Sequence, residues 1–242
     1  MNIREMHYDF KQKLNKIDSQ KYKNLQVPEI DWKLNEAIEV FVKVIAEPRL
    51  KNGFGFEINQ RSIDDIRSLV INQSLEVGNC LTASNYDNES YIVTLPEDYW
   101  FHISSEAYGS KNTCSGIRLD TKISQHDDRI KTSSFDVSSF EWRTVNIRFF
   151  EDGIRIFTDG TFSIESLCLD YIRKPIKVYN AQDHTGGSYR DLGTGAILTG
   201  SQDCDLPAPT HREIVDLAVL IATGDLQISD YQIKQNKLKL TN

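Results

Sequence analysis

Apolar residues near the start of the chain recur at steps of three and four, the spacing of one face of a helix. The first such run is Ile3, Met6, Phe10, Leu14 and Ile17. A wider stripe over residues 30–45 begins just after Pro28 and should stop before Pro48. A short third stripe over residues 63–70 follows a capping-box-like spacing. These patterns predict a helical region over residues 1–75.

Residues 76–182 have the alternation and the aromatic and β-branched content of strands. Asp-Gly dipeptides at 152–153 and 159–160 are typical of two-residue hairpin turns. They predict a three-stranded antiparallel meander. The predicted pairs are Glu151 with Ile154, Phe149 with Ile156, and Phe157 with Phe162. Ile147 would lie on one face and Phe162 on the other, so both faces should be covered.

The last part of the chain begins with a segment rich in Gly, Ser and Asp, which predicts a long loop over residues 183–208. Residues 209–242 should then form a helix from His211 to Ala222, ended by Gly224, and a tail. The fold class expected is α+β. Helices from both ends of the chain should pack together because each has an apolar stripe, and a largely antiparallel β region should be inserted between them.

Composition narrows the class of protein. The chain has 242 residues, 39% of them apolar, and a formal net charge of −7. This balance argues against a protein that coats DNA, because such proteins depend on Lys and Arg. The sequence has neither an apolar run long enough for a membrane span nor a signal-peptide pattern at its start. The four scattered cysteines are expected to be reduced thiols.

Candidate chemistry is sparse. The Gly-rich stretch 193–200 lacks the Gly-Lys-Ser/Thr of a phosphate-binding loop. The cluster QHDDR at 125–129, with Asp203 and Asp205 as possible partners, has residue types that bind metals, but such clusters are common on solvated loops. We therefore expect no catalytic residue, no cofactor and no metal ion.

One strand is predicted to end in Arg173-Lys174-Pro175. In one interpretation, the proline ends the strand and the cations protect a sheet edge from wrong pairing. In the other, these residues form a subunit interface with Tyr171, because Tyr and Arg are enriched at interfaces. The residues alone leave both interpretations open.

Four stretches resemble one family: MNIREMHYDFKQKLNKID, TLPEDYWFHISSEAY, LDYIRKPIKV and THREIVDLAVLIATGDLQISDYQIKQNKLKL. Together they are similar to the head-to-tail connector (ring, or tail adaptor) proteins of tailed bacteriophages, of the crAss-like phage type. The resemblance covers both ends of the chain well and the middle loosely.

The resemblance implies a structural virion protein, made in the host cytoplasm, and not an enzyme. It would form a ring, a dodecamer, between the portal protein and other ring or tail proteins. Double-stranded DNA would pass through the ring without sequence-specific binding. The alternative is a glycan- or receptor-binding virion module, which would show Trp or Tyr on exposed loops.

The C-terminal tail, residues 226–242, is the second candidate interface. Its spaced apolar residues are Ile228, Tyr231, Ile233, Leu238 and Leu240. The composition favours either a loose terminus or an arm that docks on a neighbouring subunit, for example by adding a strand to an open sheet edge.

Overall fold

The computed structural model describes residues 1–15, 25–46, 63–78, 80–82, 89–124, 137–151, 153–191 and 193–225. The chain has an α+β fold and divides into two compact units. The helical unit comprises Met1–Leu69 and Pro175–Asn242, and the β unit is Val70–Lys174. The predicted insertion of the β region is confirmed. The β unit covers Val70–Lys174, whereas the sequence predicts a β-rich region over residues 76–182.

Three long helices belong to the helical unit: α1 (Ile3–Asn15), α2 (Val27–Ala46) and α3 (His211–Asp225). Their apolar stripes are buried; α1 for example buries Ile3, Met6, Phe10 and Leu14. Helix α3 packs against both α1 and α2. The prediction that helices from the two ends pack together is therefore confirmed. Gly224 does not end α3, because the helix continues to Asp225.

Eight strands of the described residues form one sheet in the β unit. They are β1 (Val70–Glu76), β2 (Cys80–Thr82), β3 (Glu89–Val93), β4 (Tyr99–Lys111), β5 (Cys114–Ile123), β6 (Thr144–Phe150), β7 (Gly153–Thr158) and β8 (Ser163–Arg173). Their order is β1-β8-β4-β5-β6-β7-β3-β2. Among these strands only the β5–β6 pair is parallel, so the sheet is largely antiparallel, as expected.

The edges of this sheet approach each other. Strands β1 and β2 lie at opposite ends of the order but are consecutive in the chain. In a flat sheet they would be about 34 Å apart, whereas the chain from Glu76 to Cys80 spans at most about 15 Å. The sheet therefore curls, and the Gly78 N–H donates a hydrogen bond of 2.8 Å to the Ile92 carbonyl of β3.

The concave side of the sheet holds the core of the β unit. Its fully buried aliphatic residues include Val93, Ala107, Leu119, Val145, Ile147, Ile154, Ile156, Leu167 and Leu169. Eight strands enclose a space that side chains of this size can fill. Apolar packing of this interior stabilises the curled sheet.

The β6–β7 hairpin has a different register from the predicted one. Phe149 lies opposite Ile154 and Phe150 lies opposite Gly153, so the predicted pairing of Phe149 with Ile156 is wrong. Gly153 is the first residue of β7 and has a positive φ of 144°. A Cβ at this position would overlap the carbonyl oxygen of Val93 in β3. The close approach of β3 thus requires glycine within the strand, not in the turn.

The meander also stops after β7. Strand β8 pairs with β1 and β4, and not with β7. Thr161 donates its N–H and its hydroxyl to the Asp159 carboxylate, which shapes the connection to β8. Phe162 enters the same core as Ile147. The predicted pair Phe157–Phe162 and the predicted opposite faces are therefore wrong. After β7 the chain continues to a strand elsewhere in the sheet, and Phe162 enters the shared core from there.

The predicted helical region ends earlier than residue 75. Residues 63–66 are helical and lead through a 3-10 turn, Arg67–Leu69, into β1. Leu69 is buried, but Ile63 is 62% exposed and Val70 begins the strand. Pairing with β8 overrides the helical spacing of these apolar residues, since a ladder of strand pairs extends from Val70 to Glu76.

The predicted long loop is ordered for most of its described length. Short strands β9 (Tyr179–Asn180) and β12 (Ser201–Gln202) pair, as do β10 (Ser188–Arg190) and β11 (Ile197–Thr199). The 3-10 turns Ala181–Asp183 and Ala208–Thr210 complete the segment. The predicted long loop over residues 183–208 thus contains short paired strands and 3-10 turns, and the polar anchors described next hold part of it.

Candidate functional site

A buried polar cluster occupies the helical unit around Asp31 of α2. The Asp31 carboxylate lies 2.7 Å from His7 Nε2 of α1. It also accepts a hydrogen bond of 2.6 Å from the Tyr189 hydroxyl and one of 3.1 Å from the Asn180 N–H. One carboxylate thus joins α1, α2, β9 and β10.

The cluster contains residue types that are found in catalytic sites, but its His and Asp are not accessible to a substrate. His7 and Asp31 are only 4% and 3% exposed. Burial and the bond to Asp31 raise the pKa of Tyr189, so its hydroxyl remains a hydrogen-bond donor. Buried carboxylates require such partners, and the arrangement therefore holds segments of the unit together. Sequence reasoning missed it; the only signal was an Asp and a His on buried helix faces.

Asn35, one turn after Asp31, anchors the segment that follows Pro175. Its side-chain N–H donates a hydrogen bond of 2.8 Å to the Val178 carbonyl. Its side-chain oxygen accepts a hydrogen bond of 2.9 Å from the Val178 N–H. The amide therefore replaces a strand partner for the backbone of Val178. This anchor and Asp31 order the predicted loop region against α2.

A second group of polar contacts lies at the start of α1. Arg4 donates two hydrogen bonds, of 2.6 and 3.1 Å, to the Asp183 carboxylate, and Asn180 adds a third of 2.9 Å. These bonds lower the pKa of Asp183 to about 2. The Asp203 carboxylate accepts a hydrogen bond of 2.7 Å from the Ile3 N–H. Ile3 is the first residue of α1, and the helix dipole favours a carboxylate at this end of a helix.

The surface beside α1 forms a shallow groove of about 750 Å³. Lys13, on its rim, is paired with Asp9 at 2.8 Å and with Asp216 at 2.9 Å. Arg4 is committed to Asp183. Two cations of the groove, Arg4 and Lys13, therefore already have carboxylate partners within the protein.

The predicted interface at the end of β8 is corrected in one residue. Tyr171 is 2% exposed, and its hydroxyl donates a hydrogen bond of 3.0 Å to the Asp98 carboxylate. Its ring packs against Tyr99 inside the β unit. Tyr171 therefore stabilises the core and does not present a docking surface.

The other residues of that motif mark a boundary. The Lys174 backbone N–H donates a hydrogen bond of 2.7 Å to the Asp98 carbonyl, and Lys174 is exposed. Arg173 and Pro175 are half-buried. The β unit ends at Lys174 and the helical unit resumes at Pro175. Strand β8 thus ends at Arg173, and Pro175 begins the segment that belongs to the helical unit.

Several predicted positions lie outside the described residues. They include the tail positions Ile228, Tyr231, Ile233, Leu238 and Leu240, and the QHDDR cluster. The proposed metal partners of that cluster accept backbone N–H groups, Asp203 from Ile3 and Asp205 from Ile176. Within the part of the chain that the structure describes, no three metal-binding side chains come together.

One histidine and serine pair in the β unit has the spacing of a base and a nucleophile. His102 Nε2 lies 3.1 Å from Ser105 Oγ. Burial lowers the pKa of His102, and the charge of Asp170 opposes this effect. The Asp170 carboxylate, however, is bonded to Ser104 and Asn72, and Ser105 is only 8% exposed and also bonded to Thr121. The pair is part of the protein interior.

The most exposed large hydrophobic side chain of the described residues is Trp142, at 81%. It lies in a turn closed by two backbone hydrogen bonds between Ser139 and Thr144, of 2.9 and 3.1 Å. Arg143, the next residue, has a positive φ of 52°. The turn therefore presents an indole ring to solvent between the charged residues Glu141 and Arg143.

Comparisons with known proteins identify no relative of this chain. No protein-family model matches the sequence, and no curated protein matches it significantly. None of the described helices combines the length and the apolar character needed to cross a membrane.

Proposed function

We propose that this chain is a structural subunit of a phage head-to-tail connector, a ring that links the portal protein to the tail and lines the DNA conduit. The resemblance of both chain ends to connector proteins motivates the proposal. In this role the protein is not an enzyme and needs no cofactor, and its place is the virion.

The observation that carries the proposal is one exposed tryptophan side chain on each unit, which we take as the centre of one contact patch on that unit. Trp32 on α2 of the helical unit is 56% exposed, and Trp142 of the β unit is 81% exposed. Tryptophan is enriched among the residues that dominate interface energies. A ring is built from heterologous contacts, in which one patch meets a different patch on the next copy. Two distinct aromatic patches on two units fit this requirement.

The charge of the chain supports the same role. A net charge of −7 repels DNA phosphates, so that a genome can pass along an acidic wall without adhering to it. The DNA partner would therefore be a passing one, without base recognition.

The proposal is tested by oligomeric state. Mass photometry and negative-stain imaging, with and without the portal protein, should show closed rings. The variants Trp32→Lys and Trp142→Lys should each block one side of the contact and stay monomeric. An equimolar mixture of the two should stop at dimers, because only one intact patch of each kind remains. Wild-type protein that stays monomeric even with the portal protein would refute the proposal.

A second function is favoured by Trp142 alone. An exposed indole on a closed turn, beside a carboxylate and a guanidinium, is suited to stacking on a sugar ring and bonding its hydroxyls. This is the glycan- or receptor-binding alternative. Glycan-array binding that is lost in Trp142→Ala but kept in Trp32→Ala would support it. Absence of binding to any glycan would remove it.

A further inference from the structure

Among the described residues, β1 pairs only with β8 in the sheet order. The chain meets β3 just beyond the end of β1, where the Gly78 N–H bonds to the Ile92 carbonyl, and along Val70–Glu76 the outer edge has no strand partner. The pairing runs without a bulge from Val70, opposite Ile172, to Glu76, opposite Ser166. The strand contains neither Pro nor Lys. Proteins normally blunt an edge with a proline, a lysine or a bulge. Strand β1 has none of these, so it is a template for an added strand.

The two faces of β1 differ in chemistry. Leu75 is buried in the core of the β unit and Ile71 packs against it. Asn72 and Glu76 point to the other, exposed side, and Asn72 donates to the Asp170 carboxylate on β8. A strand added here would have to place apolar side chains inward and would gain from cations outward.

The C-terminal tail has this pattern. Leu238 and Leu240 alternate with Lys237 and Lys239. In a strand, the leucines would share one face and the lysines the other. Fully extended, residues 226–242 reach about 56 Å.

We propose that residues 236–241 of one copy add as an outer strand to β1 of a second copy. This inference rests on the proposed ring and specifies one of its contacts. A second copy is the occupant because a ring grows only through contacts between copies. The leucines would extend the apolar core beside Ile71 and Leu75, and the lysines would face Glu76.

The test uses a fluorescein-labelled peptide of residues 226–242. It is titrated, with anisotropy as the readout, into the full-length variant Leu238→Asp/Leu240→Asp, whose own tail no longer fits. We expect saturable binding. Glu76→Lys in this background should weaken it about tenfold or more, because it places a like charge and a blocking lysine on the edge. Glu165→Lys is the matched control: it reverses an exposed carboxylate on β8, which is not an edge strand.

Hydrogen exchange gives a readout that general attraction cannot imitate. The amides of β1 should gain protection when the peptide binds, because their outward N–H groups become bonded. Absence of peptide binding, equal weakening by Glu76→Lys and Glu165→Lys, or protection only outside β1 would each overturn the inference.

Oligomer measurements separate this inference from the proposed ring. Rings formed by Leu238→Asp/Leu240→Asp would overturn the tail contact and leave the connector proposal intact. Peptide binding at β1 by a wild-type protein that never forms rings would support the strand addition and refute the connector. A wild-type protein that remains monomeric and excludes the peptide would show that each tail occupies its own β1, which overturns the choice of a second copy.

Discussion

Four segments of the helical unit depend on one side chain, the carboxylate of Asp31. Its partners are His7, Tyr189 and the N–H of Asn180, all within 3.1 Å. If the carboxylate were removed, His7 and the Asn180 N–H would remain buried without an acceptor, and the half-buried Tyr189 hydroxyl would lose its partner. Such unsatisfied groups are costly because water cannot replace the lost partner.

We therefore expect Asp31→Ala to lower the free energy of unfolding by about 3 to 5 kcal/mol. Denaturation followed by circular dichroism at the helical band reports on this unit. The control is Asp216→Ala, which removes a surface partner of Lys13 that is 50% exposed; it should cost about 1 kcal/mol or less. Equal losses in the two variants would show that the buried cluster is not a structural anchor.

The Asp183 carboxylate predicts a specific pH dependence. Its hydrogen bonds with Arg4 and Asn180 lower its pKa from 3.8 to about 2. Because the pKa in the folded protein is lower than in the unfolded chain, the stabilisation is complete above the unfolded pKa. It is lost as the pH falls from 3.8 toward 2.

The comparison is between wild type and Asp183→Asn in thermal melts across this pH range. The wild type should be the more stable protein at neutral pH, by a constant margin, and the margin should vanish at the acid end. A margin that is independent of pH down to the acid end would show that the ion pair with Arg4 is not the cause.

At the level of elements, the sheet depends on close strand approaches that a side chain would prevent. Gly153 of β7 is such a place, because the Val93 carbonyl of the neighbouring strand β3 lies where a Cβ would be. Gly116 offers a contrast: it also has a positive φ, of 67°, but a Cβ there would meet nothing within 4 Å. The two glycines separate the cost of backbone strain from the cost of a clash.

Gly153→Ala should lower the free energy of unfolding of the β unit by about 3 kcal/mol or more, from strain and clash together. Gly116→Ala should cost about 1 kcal/mol, from strain alone. Urea denaturation of both variants, followed by tryptophan fluorescence, measures the difference. Similar costs at the two positions would mean that β3 does not approach β7 as closely as described.

For the whole molecule, we expect stability without a bound metal ion or nucleotide. The sequence lacks the ligand spacing of either site. Only a ligand that prefers the folded state changes the melting temperature, so excess EDTA or nucleotide should leave it unchanged. A shift of several degrees on addition of EDTA would reveal a resident metal ion.

The elements with strong periodicity, and their grouping, can be predicted from the amino-acid sequence alone. The stripes of α1, α2 and α3 can be buried only against one another, and the helices pack as this predicts. Alternation in residues 76–182 likewise predicts strands. These features follow from neighbours three to four, or two, positions apart, which a sequence displays directly.

The partners of each strand and the contacts of the polar residues follow from long-range contacts in the folded chain. Phe162 joins the core of Ile147 because β8 pairs with β1 and β4, far from it in sequence. Within residues 183–208, Tyr189 binds Asp31, more than a hundred positions earlier, and Asn35 binds Val178 just before that segment. Such contacts leave no local periodicity. Their stability comes from burial and hydrogen bonding between segments that meet only in the folded chain.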